Sequence, residues 1–253
     1  MSSEKTEAIV LRIYPWSETS LIASLFTCDF GKLSVIAKGA RRPKSSFEAA
    51  LDLLSICRVV FISKSSDALD ILTEAKLQRR FRAGEKNLLR LYAGYYTAEL
   101  LDHTIGRGDK HTELYELAQA TLEALHESSL QVAAIVLRFE MQLLRLTGHL
   151  PSWRDCAHCG RDAPADKGFS SFSMLGGGVL CSNCVAGAQQ IVRLPTAVLE
   201  ILEQHSQVNW RSTNLTAYGC TQPAVLRGVV QRYFTVLLDR KLQMHSYLEE
   251  LGR

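Results

Sequence analysis

The chain has 253 residues, 47% of them apolar and 22% charged, with 29 Lys and Arg against 26 Asp and Glu for a net charge of +3. This is a globular composition with enough core for one large domain or two to three small ones. The weak positive balance does not by itself imply a nucleic-acid partner, so the placement of the cations decides.

Residues 6–77 read as strands. Ala8-Ile9-Val10-Leu11-Arg12-Ile13-Tyr14 is rich in β-formers, and Pro15-Trp16-Ser17-Glu18 punctuates it. Further apolar runs cover 21–27, 33–37, 55–63 and 68–77, with Asp29-Phe30-Gly31-Lys32 as a hairpin turn. Five short strands in this length suit a small closed barrel. Strand count favours an oligonucleotide-binding (OB) barrel and leaves an SH3-like barrel open. Lys38-Gly39-Ala40-Arg41-Arg42-Pro43-Lys44-Ser45 is the densest charge feature, and Lys32 extends it upstream. No acid falls between Asp29 and Glu48. Cations on a glycine-containing arm are what a phosphate-gripping loop needs, which points to nucleic acid.

From Arg79 the apolar period becomes helical. Leu88, Leu91, Tyr92 and Tyr95 form one stripe. A second runs from Leu114 to Leu125 and a third from Val132 to Leu146, with Gly148 and Pro151 ending it. The tyrosines 92, 95 and 96 read as helix core rather than as a base-stacking set. Pro195 opens a short helix. Pro223 opens a longer one carrying Leu226, Val229, Val230, Tyr233, Phe234 and Leu237, with Arg227 placed off the stripe and the basic tail 239–246 continuing the helix.

Between the helical halves lie Cys156-Ala157-His158-Cys159 and Cys181-Ser182-Asn183-Cys184. Two CxxC pairs can meet at one tetrahedral zinc ion, and the 21-residue interval 160–180 is at the long end for such sites. A strand-turn-strand excursion through Phe169, Phe172 and Gly176-Gly177-Gly178 would fill it. Four cysteines close the coordination shell, so Cys156, Cys159, Cys181 and Cys184 are expected to hold one structural Zn2+ rather than a catalytic one. Of the three remaining cysteines, Cys28 and Cys57 sit in apolar runs as small hydrophobes, and Cys220 stands alone. An odd count without a disulfide framework points to a reducing compartment. With no signal core and no apolar run near the roughly 18 residues that span a bilayer, a cytoplasmic protein without a membrane partner is expected. There is no GxxxxGK[ST] loop, GxSxG elbow or HExxH, and neither CxxC is the PCxxC that a deaminase pairs with HxE, so the expectation is a protein that is not an enzyme.

Taken together, Pro15-Trp16-Ser17-Glu18-Thr19-Ser20-Leu21, Phe26-Thr27, Gly31-Lys32-Leu33, the 38–45 segment, Leu137-Arg138-Phe139-Glu140, Leu143-Leu144, Gly148-His149-Leu150-Pro151 and the CxxC pairs closely resemble the RecO family of bacterial recombination mediators. The likeness covers nearly the whole chain, and the 38–45 segment is its most specific part. It implies an α+β chain with an N-terminal five-stranded OB-fold β-barrel at 1–80. A helical domain in two parts, 81–152 and 191–253, would follow, with an inserted four-cysteine zinc module at 153–190. The implied activities are binding of single- and double-stranded DNA and annealing of complementary strands. The implied partners are RecR and the acidic C-terminal tail of single-stranded DNA-binding protein (SSB), with RecA loading onto SSB-coated strands and RecF and RecA engaged indirectly, in a nucleoid-associated setting. The family's basic segment falls on Lys38, Arg41, Arg42 and Lys44, with Lys32 on the preceding turn and Arg12 joining from the first strand. The SSB-tail pocket falls in the helical domain, where Arg138 is the candidate. The contrasting reading is another OB-fold zinc-ribbon protein acting on RNA.

Overall fold

The structure is a computed structural model. It describes residues 3–43, 45, 47, 50–64, 68–83, 87–127, 130–207 and 222–252, so Lys44 and Cys220 lie outside the described residues. The chain divides into two compact units, Met1–Ser128 and Ser129–Arg253.

In the first unit, β1 (Ser3–Pro15), β2 (Leu21–Thr27), β3 (Gly31–Ala37), β4 (Ile56–Ile62) and β5 (Asp70–Arg79) close a barrel in the order β1-β2-β3-β5-β4. The long β1 pairs antiparallel with β4 through Ser3–Ile9 and with β2 through Ala8–Pro15, bending at an irregularity between Val10 and Arg12. β3 meets β5 in parallel at Val35↔Asp70, Ile36↔Ile71 and Ala37↔Leu72. A crossover that brings β5 parallel to β3 is a Greek-key closure, and the barrel is an OB fold. Strand count left this open; strand order settles it.

Alternation explains the core. On β3, Leu33, Val35 and Ala37 point inward while Lys32, Ser34 and Ile36 face out. Val10, Leu25, Val59, Phe61, Leu72 and the fully buried Cys57 complete the interior. Helices α1 (Leu88–Thr104) and α2 (Thr112–Glu127) belong to this unit. Asn87 caps α1, its Oδ1 accepting from the Leu89 N–H at 2.8 Å. Tyr96 is core, as its spacing predicts, while Tyr92 and Tyr95 are only half-buried. Gly94 allows α1 to approach closely, since a Cβ there would lie 2.6 Å from the Phe81 ring. Tyr115 of α2 meets Phe26 edge-on at 5.5 Å.

The second unit is built on α3 (Val132–Leu146), which is buried along most of its length, including the polar Arg138, Glu140 and Gln142. Gln142 Nε2 donates to the carbonyls of His205 and Ser206 at 3.0 Å, satisfying orphan acceptors at the end of α5 (Thr196–Gln207). A three-stranded sheet, β7-β6-β8, combines β6 (Phe169–Ser173), β7 (Gly178–Leu180) and β8 (Ile191–Pro195). The β6–β7 pair is the expected excursion turning at Gly176-Gly177; β8 adds a strand that the spacing did not suggest. The short helix α4 (Ser182–Val185) follows β7. Phe172 stacks on Trp153 at 6.0 Å and meets Tyr233 of α6 (Pro223–Leu237) at 6.2 Å. The tail does not continue α6. Asp239 turns left-handed at φ 49°, with Arg240 N–H on Thr235 O and Asp239 N–H on Val236 O, and a 3-10 helix follows at Gln243–Gly252. Among the described residues no helix is long and apolar enough to cross a membrane.

Candidate nucleic-acid interface and metal centre

The basic loop leaves the barrel at the end of β3 through two tight turns. Gly39 adopts φ 75°, the Arg42 N–H donates to Gly39 O at 3.1 Å, and the Ser45 N–H donates to Arg42 O at 3.1 Å. The loop is stitched to the β1–β2 turn, because the Arg41 N–H donates to Thr19 O and its Nη1 to Ser17 O, each at 3.0 Å. Beyond it, Phe47 is buried in the barrel core and anchors the returning chain. Lys38, Arg41 and Arg42 are all exposed, and among the described residues none is paired with a carboxylate. The arrangement is a fixed platform of positive charge with its heads in water.

Arg12 and Lys32 are placed differently. Arg12 Nη1 meets Asp102 Oδ2 at 3.1 Å, Lys32 Nζ donates to Asp102 O, and Ser24 Oγ donates to Asp102 Oδ1 at 2.8 Å. Asp102, near the end of α1, thus draws both cations to the helix-covered side of the barrel. Lys32 and Lys38 stand at opposite ends of β3, about 20 Å apart at the usual strand rise. The structure brings Lys38, Arg41 and Arg42 together, and Arg12 with Lys32 separately. Asp102 gave no sequence signal: it lies 90 positions from Arg12 in a helix read only for its apolar stripe.

The four cysteine sulfurs converge to within 4.8 Å of one another, with Cys159 and Cys181 at 3.7 Å. A tetrahedral ion with Zn–S bonds of about 2.3 Å would hold its sulfurs about 3.8 Å apart, so the set fits a metal. Two different devices aim them. Gly160, at φ 70°, folds the first pair into a turn closed by the Gly160 N–H on Cys156 O at 2.8 Å and the Cys156 N–H on Arg161 O at 2.7 Å. The second pair opens α4, with the Cys184 N–H on Cys181 O at 3.0 Å. The Cys181 N–H, directed at the Cys156 sulfur and opposed by burial, holds that thiol down at about 6. Arg161 Nε donates to Cys159 Sγ at 3.5 Å and lowers that thiol as well. Cys184, through its hydrogen bond to Cys181, is pushed up to about 12. Four sulfurs this close cannot all ionise without a cation among them, which is the state a metal supplies.

Arg138 is 5% exposed, and burial lowers its pKa. Among the described residues its Nε has no hydrogen-bond partner and no acid pairs with the guanidinium. It does not pair with Glu140. That carboxylate meets Arg227 Nη1 at 2.6 Å, with both side chains buried, so Arg227 is an inward-facing residue rather than one off the apolar stripe. Burial, together with the charge of Arg138, pushes His205 down to about 4.

Two family models cover almost the entire sequence: Recombination protein O N terminal over residues 1–81 and Recombination protein O C terminal over residues 85–243. The chain belongs to the RecO family. It is 45% identical over 197 residues to the DNA repair protein RecO of Rhodopirellula baltica, covering 78% of this chain and 73% of that one. It is 27% identical over 251 residues to the RecO of Symbiobacterium thermophilum, covering 99% and 98%, and 28% identical over 248 residues to that of Moorella thermoacetica, covering 98% and 91%. The RecO N-terminal match ends two residues after β5, so it spans the whole barrel and the basic loop. The RecO C-terminal match contains all four metal-competent cysteines and the buried Arg138. A RecO chain is a DNA repair protein, and its interaction with DNA follows from that role.

Proposed function

We propose that this RecO-family chain is a non-enzymatic recombination mediator that binds single- and double-stranded DNA through Lys38, Arg41, Arg42 and Lys44, and anneals complementary strands. The observation that carries the reading is the exposed, carboxylate-free basic loop pinned to an OB barrel. Annealing brings two polyanions together, and phosphate neutralisation does this without hiding the base edges. Arg12 and Lys32 act in this scheme mainly by holding α1 against the barrel through Asp102, adding positive potential from behind. RecR and, indirectly, RecF and RecA are the partners, with RecA loading onto SSB-coated strands as the outcome. Segment 1–80 serves as the DNA-binding module, 81–152 and 191–253 as the helical parts, and 153–190 as the metal module. The metal is one structural Zn2+.

Fluorescence-monitored annealing of bare and SSB-coated strands tests the activity. Arg41→Ala with Arg42→Ala is expected to slow annealing and weaken DNA binding. It should flatten the log K against log salt slope on single strands by about 0.7 for each phosphate left without its cation. A slope equal to wild type would refute the loop assignment.

Arg138 supplies the cation for the SSB tail. A buried guanidinium without a counter-charge is costly, and an entering carboxylate restores the balance. Arg138→Gln is expected to weaken binding of an SSB-tail peptide at least tenfold in a fluorescence titration while leaving DNA affinity in place. Unchanged peptide affinity would remove Arg138 from the pocket.

A further inference from the structure

The β1–β2 turn carries an aromatic group for which the fold has no use. Trp16 is 63% exposed and Tyr14 44%. Tryptophan is on average among the more buried residues, and a large apolar ring left in water is the kind of exposure that calls for a ligand. Trp153 shows the contrast, since it stacks on Phe172 inside the second unit. The Trp16 side chain has no hydrogen bond, ring contact or ion pair among the described residues.

The backbone beneath Trp16 is nonetheless fixed. Its N–H donates to Ser20 O at 3.0 Å, and the Ser20 N–H donates to Ser17 Oγ at 3.1 Å. Arg41 then ties this turn to the basic loop through Ser17 O and Thr19 O. The exposed ring and the exposed cations are therefore held on one stitched surface rather than on two independent loops. Arg12, Tyr14 and Trp16 fall on alternate positions of β1 and its continuation, about 6.6 Å apart along the strand. The Arg12 guanidinium lies over the Tyr14 ring at 5.1 Å, holding that ring in place.

We propose that Trp16, flanked by Tyr14, is a base-stacking platform that gives the basic loop a preference for single-stranded over duplex DNA. The inference rests on the loop reading given above. Every nucleobase has a π-face, so an aromatic ring adds affinity without sequence choice. In a duplex those faces are covered by neighbouring bases, and only an unpaired strand can offer them. The surroundings favour a nucleobase over an apolar protein surface: Lys38, Arg41 and Arg42 border the turn, and Glu18 is the one acid within it. A polyanion bearing flat rings matches both features, whereas an apolar protein surface matches only the ring.

The test compares full-length wild type, Trp16→Ala, Trp16→Phe and the Arg41→Ala/Arg42→Ala variant. Each is titrated by fluorescence anisotropy with an oligo-dT, an abasic oligomer of equal length and a duplex, across a salt series. Trp16→Ala should lose about tenfold in affinity for oligo-dT. It should keep wild-type affinity for the abasic oligomer and the duplex, and keep the salt slope on all three. Trp16→Phe should recover most of the loss. Because the ring is exposed, the melting temperature should not change. The proposal is overturned if wild type binds oligo-dT and abasic strands equally, or if Trp16→Ala weakens both by the same factor. It is also overturned if Trp16→Ala leaves oligo-dT binding intact, which would assign the ring to a protein contact. The arginine variant reports on the loop separately: an unchanged salt slope there defeats the loop reading, whatever Trp16 does.

Discussion

Cys181→Ser is expected to empty the metal centre and unfold the segment around it while leaving the N-terminal barrel intact. Metal content measured by mass spectrometry should fall from about one ion per chain to near zero. Structural zinc sites contribute roughly 10–16 kcal/mol in small peptides, as large as the whole stability of an average domain. Phe172, Met174 and Val179 are buried beneath the sheet, but the turn that carries the first cysteine pair has little apolar support of its own. The segment's sheet has strands of 5, 3 and 5 residues, and the turn bearing Cys156 and Cys159 is exposed apart from Cys156 itself. Oxygen in place of one sulfur takes away one of the four ligands, and without the ion nothing ties the three remaining cysteines together. Thermal melting should therefore show an early transition and a loss of solubility. Oligonucleotide affinity should stay close to wild type at temperatures below that transition, because Lys38, Arg41 and Arg42 belong to the other compact unit. A folded, metal-free Cys181→Ser protein with selectively weakened DNA binding would reverse the assignment and place the metal in the DNA-binding machinery.

What the sequence makes legible is local, and two helix ends show where that stops. α3 ends with Gly148 at φ 75°, the His149 N–H on Leu144 O and the Gly148 N–H on Arg145 O. Glycine is the usual residue there, so the stop can be read directly. α6 ends with the same pair of hydrogen bonds, but with Asp239 in the left-handed position. An aspartate tolerates that conformation without announcing it, and the basic tail that follows looks like more helix. The cysteine spacing and the strict alternation of β3 are likewise local patterns, and both are met in the structure. Asp102 is not local. Its role comes from Arg12 and Lys32, which reach it from 90 and 70 positions away, and no periodicity in either stretch encodes that meeting. Trp16 lay in plain sight within a motif, yet only its 63% exposure makes it a candidate for stacking.

Glu140→Gln is expected to cost about 3–5 kcal/mol, the usual penalty for breaking a buried ion pair from one side. The two side chains are 0% and 3% exposed, so Arg227 would keep its charge with no water to receive it. Urea unfolding followed by circular dichroism measures the loss. The double variant Glu140→Leu with Arg227→Met should recover most of it, because an apolar pair of similar volume removes both desolvation costs at once. A loss below about 1 kcal/mol for Glu140→Gln would mean that the pair is solvated and the argument from burial fails. The result also bears on Arg138. Residues two apart on a helix do not face each other, so Glu140 cannot serve Arg227 on α6 and Arg138 on the side of His205 together. Among the described residues the interior of this unit holds two guanidinium groups and one carboxylate. The unbalanced charge is Arg138, and a second carboxylate must come from elsewhere if it is to be neutralised. Arg138→Leu should therefore stabilise the unliganded protein in the same urea series in which Glu140→Gln destabilises it. Opposite signs from two residues on one helix would mark Arg138 as a charge kept for a ligand rather than for the fold.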